Sequence, residues 1–241
     1  MAQPEYKPTI QTRAAPRTAI DAGLRAYMLK VYNLMALGVA ATAIVALFMA
    51  ANPTLMVAVA GGVMKWVLFA ALLGLGWFAP RLIFSGSAAT AWLAYGAYAV
   101  LWGLLISPMI AFYMGTNPAL VVRALLITAA TFGATSLFGY VTKRDLSGFA
   151  GFFVMASIGL LIAMLVNVFF LQSTLFSLIT SSLVVLVFAG ITAWETQSIK
   201  EMYAEGDDMS RHAIFGAFML YGSFITLFIH ILNILGIMNN D

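Results

Sequence analysis

Glu195 is the first residue whose chemistry needs an account. It lies in GITAWETQSIKEMY, Gly190 to Tyr203, which overlaps the end of a greasy segment and follows the uncharged run SLITSSLVVLVFA. A carboxylate at mid-bilayer costs about 3 kcal/mol on insertion scales, and less near an interface. At the interface Glu195 would be an anchor; desolvated by packed neighbours, it could act as a proton-sensitive gate or as a ligand for a cation such as Ca²⁺. Spacing leaves both readings open.

A second constellation lies near the C-terminus. Ser223, Thr226, His230 and Asn233 follow one another at intervals of three, four and three, which puts them on one helical face. Such a stripe on a membrane helix must face protein or water, because lipid offers it no partner. Interhelical hydrogen bonding and a water-filled path both fit the pattern. His230 brings an imidazole that can titrate near neutral pH, although near the outer end of its helix a structural histidine fits equally well.

Two loops carry the remaining charge. In Tyr140 to Gly151, Asp145 or Ser147 can cap the helix that follows, with Lys143 and Arg144 at the lipid phosphate level. Lys200 to His212 holds Glu201, Glu205, Asp207 and Asp208, a cluster read as a solvated loop with at most weak attraction for divalent cations. There is no P-loop, HExxH, dinucleotide fingerprint or nucleophile elbow, so no enzyme is expected. The absence of cysteine excludes disulfides and thiolate metal sites.

The elements that position these residues follow from composition. A chain with 63% hydrophobic and 9% charged residues belongs in a bilayer. Uncharged segments at about Val31 to Ala51, Trp66 to Ala79, Ala88 to Tyr113, Ala119 to Tyr140, Phe149 to Leu171, Leu175 to Trp194 and Ile214 to Ile237 predict seven transmembrane helices. The second could instead begin at Val57, with Lys65 inside. They are too continuously apolar for barrel strands, so the fold class is all-α integral membrane protein. Ala51-Asn52-Pro53, Ala79-Pro80-Arg81 and Gly115-Thr116-Asn117-Pro118 read as turns, while Pro108 is expected to kink the third span. No two glycines lie four residues apart, so packing falls to alanine, serine and isolated glycine. Residues 1–27 read as a retained, partly disordered cytoplasmic tail and residues 28–241 as the seven-helix transmembrane domain.

Lysine and arginine set the orientation. With the N-terminus inside, ten of the twelve (Lys7, Arg13, Arg17, Arg25, Lys30, Arg81, Lys143, Arg144, Lys200 and Arg211) are cytoplasmic and Lys65 and Arg123 are not, which puts the C-terminus outside. Arg25 and Lys30 fall where a juxtamembrane helix would meet anionic lipid. The basic residues are scattered, so no nucleic-acid partner is implied.

Three strings carry a family resemblance. GYVTKRDLSG resembles the fourth-to-fifth helix signature of the Bax inhibitor-1 family, in particular its bacterial YccA-like branch. FAGITAWETQSIK is similar to the end of that family's sixth helix, and LYGSFITLFIHILNILG to its last helix, usually LYxDFINLFxxLLxxxG. The resemblance covers the chain after Arg25 and implies a seven-helix fold with the last helix surrounded by the other six. It also implies a pH-sensitive calcium leak, gated by two hydrogen-bonded aspartates at the end of the sixth helix and in the seventh. Glu195 matches the first and keeps the carboxylate; Ser223 matches the second and does not. Two close carboxylates cannot both ionise cheaply, whereas a Glu and Ser pair has one titrating group and one charge fewer for Ca²⁺. The resemblance thus moves Glu195 from the interface toward the buried cytoplasmic end of a helix-lined path, with Ser223, Thr226 and His230 along it.

Two functions follow as expectations. One is a passive, pH-sensitive cation leak, Ca²⁺ or protons being the species that move and no cofactor being needed. The other is a non-conducting regulator that binds another membrane protein, such as a protease or stress-response partner. A bacterial inner membrane is the expected location, since the first residues lack the apolar core of a secretory signal.

Overall fold

The computed structural model describes residues 17–205 and 209–239. Among them there is no strand, and every long element is a helix: α1 (Arg17–Ala50), α2 (Pro53–Ala60), α3 (Met64–Ser85), α4 (Ala88–Thr116), α5 (Pro118–Val141), α6 (Ala150–Val166), α7 (Thr174–Glu205) and α8 (Met209–Asn239). A 3₁₀ turn, Ser147–Phe149, leads into α6, and a π turn, Asn167–Leu171, ends it. Seven of these helices are long and apolar enough to cross a bilayer. Even the 22 residues of α3 span about 33 Å at 1.5 Å per residue, enough for a hydrocarbon core of about 30 Å.

Several boundaries differ from the sequence reading. α1 runs unbroken from Arg17, so the boundary drawn at 27/28 falls inside a helix; residues 1–16 and the acidic positions Asp207 and Asp208 lie outside the described residues. Pro80 does not end the second span but sits within α3, which continues to Ser85. Proline removes one donor, but unwinding there would strip several backbone groups of partners in an apolar medium, so the helix persists. The span ends later, with Gly86 as its C-cap, and its start is set by a separate turn. α2 stops at Ala60 and the chain reverses at Gly61-Gly62, where Gly62 takes the left-handed φ of 56° that glycine allows. That places Lys65 in the first turn of α3 with its ammonium 5.5 Å from the Trp66 ring, so the alternative start at Val57 does not occur.

α8 is the axis of the bundle. Over its most apolar stretch 61% of residues are buried, against 17–33% for α1, α3, α4, α5 and α7 and none for the span containing α6. It packs on α1, α3, α4, α5 and α7, whereas α6 packs along α7, so the described packing does not extend the expected enclosure to all six. A lipid solvent gives helices no hydrophobic reason to associate, so polar links and close packing must hold them. Thr42 on α1 donates to the Ala99 carbonyl on α4 at 2.9 Å and so receives its 2.6 Å bond from the Tyr221 hydroxyl on α8, since each hydroxyl has one hydrogen. Tyr95 on α4 donates to the Leu34 carbonyl at 2.9 Å.

Candidate functional site

Glu195 is not the last residue of an apolar span. α7 passes Trp194, where the sequence reading ended it, and continues for eleven residues to Glu205. Counted from Thr174, Glu195 stands about 32 Å along the axis, roughly one hydrocarbon thickness from the start of the helix. What removes it from water is protein, for its exposure is only 8%. The choice between anchor and buried group is therefore decided by packing rather than depth.

Successive residues of an α-helix point about 100° apart. Glu195, Thr196 and Gln197 accordingly reach three different neighbours. The Ser223 hydroxyl of α8 donates to Glu195 Oε2 at 2.7 Å, with Ser223 itself 2% exposed. Thr196 donates to the Thr192 carbonyl at 2.8 Å, so it accepts the 2.9 Å bond from Ser136 of α5, which in turn accepts from Tyr32 of α1 at 2.6 Å. Gln197 holds the loop between α5 and α6: its Oε1 accepts from the Leu146 N–H at 2.7 Å and its Nε2 donates to the Arg144 carbonyl at 2.8 Å. One turn of α7 thus ties three parts of the molecule around the carboxylate. Beside it Gly139 lets α5 approach so closely that an added Cβ would collide with the Ala193 carbonyl oxygen, which only glycine avoids.

The α5–α6 loop is explained without chemistry of its own. Asp145 Oδ1 accepts from the Ser147 N–H at 2.8 Å in a local turn, but α6 has Phe149 at its N-cap and no side-chain cap, so neither Asp145 nor Ser147 caps that helix, contrary to the sequence reading. Hydrogen bonds from the Ser147 hydroxyl and N–H hold this exposed carboxyl below its ordinary range.

The stripe on α8 divides. His230 Nδ1 meets Ser181 Oγ of α7 at 3.0 Å, and Asn233 Nδ2 donates to Ser177 Oγ at 3.0 Å and Ser181 Oγ at 2.9 Å. These are interhelical links. Thr226 instead donates to its own helix, to the Gly222 carbonyl at 2.9 Å. Thr226 and His230 also border a cavity of about 570 Å³ between α3, α4, α6, α7 and α8, walled mainly by Leu72, Trp102, Leu160 and Phe188; neither Glu195 nor Ser223 borders it. Ser223 precedes Thr226 by about 4.5 Å along the axis, so the pair lies less than a turn from the cavity wall. Glu195 and Ser223 are thus joined directly, while Thr226 and His230 share a cavity the pair does not reach.

Sequence reasoning missed Thr196, Gln197, Ser136 and the serines 177 and 181. The signal was present: Ser177 and Ser181 lie four apart, on one face of their helix. Among the described residues no three His, Asp or Glu side chains gather into a metal site.

These features define a polytopic α-helical membrane protein whose central helix is latched to its neighbour by a buried carboxylate–hydroxyl pair. The family model described as inhibitor of apoptosis-promoting Bax1 matches residues 24–240, and the chain belongs to this Bax inhibitor-1 family. It is 39% identical over 236 residues to uncharacterized protein RP147 of Rickettsia prowazekii, covering 96% of this chain and 98% of that one. An uncharacterized protein of Deinococcus radiodurans is 40% identical over 88% of this chain and 90% of its own length. The inner membrane protein YbhL of Escherichia coli is 37% identical, over 89% of this chain and 93% of its own.

Proposed function

We propose that this protein is a passive, pH-sensitive cation leak, with Ca²⁺ as the permeant ion and the Glu195–Ser223 pair as the closed gate. The observation that carries this reading is a carboxylate buried in the bundle with a single hydroxyl as its hydrogen-bond partner among the described residues. An ionised carboxylate so placed has no counter-charge among the described residues, and access to water or a cation relieves that cost, whereas its neutral form is suited to apolar packing. Exchange between the two forms is the proposed switch. The cavity at Thr226 and His230 would then be the vestibule reached when the latch opens. No chemical step or cofactor is involved.

We further place the protein in a bacterial inner membrane with its N-terminus in the cytoplasm and its C-terminus outside. The similarity to the inner membrane protein YbhL and the ten-to-two distribution of basic residues support this. The test is Ca²⁺ flux into liposomes holding the purified protein from pH 6 to pH 8, beside Glu195→Gln and empty vesicles. A protein-dependent flux whose pH profile flattens in the variant supports the gate. No flux above empty vesicles, from folded and inserted protein, overturns it in favour of a non-conducting regulator that acts on another membrane protein.

A further inference from the structure

A second cavity, of about 440 Å³, opens between α1 and α5 at the end of the bundle that carries most of the positive charge. Its volume is in the range of small-molecule sites, about 300–1,000 Å³. Arg25 stands in its wall, and the rest is formed mainly by Met28, Leu29, Phe132, Gly133 and Leu137. Tyr32 and Ser136 also border it, but each spends its hydroxyl on the chain that runs to Thr196, which leaves the wall apolar in character. Tyr140 closes one side and carries a second cation on its ring, Lys200 Nζ lying 5.5 Å from the centroid. Among the described residues no carboxylate borders the cavity.

We propose that this cavity is a binding site for an anionic phospholipid, with the lipid phosphate at Arg25 and one acyl chain along the groove between α1 and α5. The pairing follows from charge and polarity together. A cation at the headgroup level beside an apolar trough matches a phospholipid end for end, and the absence of an acidic side chain among the described wall residues favours an anionic over a zwitterionic headgroup. The site is independent of any conductance. It nevertheless touches the gate region, because the Ser136 hydroxyl in its wall bonds to Thr196, the neighbour of Glu195.

Native mass spectrometry of the full chain, released from nanodiscs of mixed phosphatidylglycerol and phosphatidylcholine, tests this. The wild type should retain phosphatidylglycerol about fivefold over its share in the disc, the factor one basic residue contributes beside an anionic headgroup. Arg25→Gln should abolish that preference. Gly133→Leu should lower retention of both lipids, since a Cβ at Gly133 meets nothing within 4 Å and the added side chain projects into open groove without a clash. Equal retention of the two lipids by the wild type, a preference that survives Arg25→Gln, or full occupancy in Gly133→Leu would each overturn the assignment. Thermal unfolding of both variants confirms that the comparison is between folded proteins.

Discussion

Removing the Ser223 hydroxyl is the most direct perturbation of the latch. In Ser223→Ala the Glu195 side chain loses its only hydrogen-bond partner among the described residues and remains 8% exposed, so it cannot turn to water without repacking. An ordinary interhelical hydrogen bond in a membrane protein is worth about 0.6 kcal/mol, and the largest measured about 1.7. A buried acceptor left without a donor costs about 1–3 kcal/mol, more when charged. The second figure governs here, because the vacated space is walled by the packed faces of α7 and α8. For a chain of this size each kcal/mol moves the melting temperature by roughly 2–4 °C, so Ser223→Ala should melt about 2–12 °C below the wild type. Glu195→Met should cost less, since the Ser223 hydroxyl can turn to a carbonyl of its own helix. The double variant should then be more stable than Ser223→Ala alone, because replacing both partners with apolar groups leaves nothing unsatisfied. The assay is thermal unfolding in mild detergent followed by tryptophan fluorescence, for all four members of the cycle. Additive losses in the double variant, or a Ser223→Ala midpoint within a degree of the wild type, would refute the reasoning.

Three further outcomes are expected. Gly139→Ala should lower the melting temperature by several degrees, because its Cβ meets the Ala193 backbone, which cannot swing aside, and overpacking of this kind costs about 1–3 kcal/mol; Gly133→Ala, whose Cβ meets open space, should not. Gln197→Leu removes both bonds to the α5–α6 loop, and two bonds of about 1 kcal/mol each should speed trypsin cleavage at Lys143 and Arg144 roughly tenfold or more, so an unchanged rate argues against the clamp. Asp145 is held low by Ser147, so its contribution to the loop is present above the unfolded value of about 3.9 and lost only as pH falls through the lower folded value. A carboxyl ¹³C titration should place its midpoint below 3.9, which also means Asp145 cannot supply a response between pH 6 and pH 8.

The number and type of spans were legible because each requires a long uncharged run, a signal that survives errors of several residues at either end. Boundaries were less legible where polar residues are satisfied by protein. Hydropathy ended the sixth span at Trp194, yet α7 continues through Glu195, Thr196 and Gln197, because α8, α5 and the α5–α6 loop each supply a partner. Hydropathy treats a polar residue as exposed to lipid or water and has no representation of a neighbour. Pro80 misled for a related reason, since its turn signal holds in water, where freed backbone groups can be solvated. The pairing of Glu195 with Ser223 was accessible only through family resemblance, as nothing in the spacing of residues 28 apart brings two helices together.

The polar contacts between α7 and α8 form two groups rather than a continuous path. One is Glu195 with Ser223; the other is Ser177 and Ser181 with His230 and Asn233. Ser223 and His230 are seven residues apart, about 10 Å along α8, and between them only Thr226 of the stripe is free of interhelical bonds and faces the cavity. In the leak proposed above, a conducting state would break one group and still cross the other. If α8 moved as a rigid rod, both would be lost together, at the combined cost of every bond they contain. If the Glu195 side chain alone withdrew from Ser223, the second group would survive as the fixed support that keeps α8 in register. The second route breaks one hydrogen bond instead of four, so the latch is best placed at Glu195, with His230 and Asn233 serving to hold the helix on which Ser223 stands.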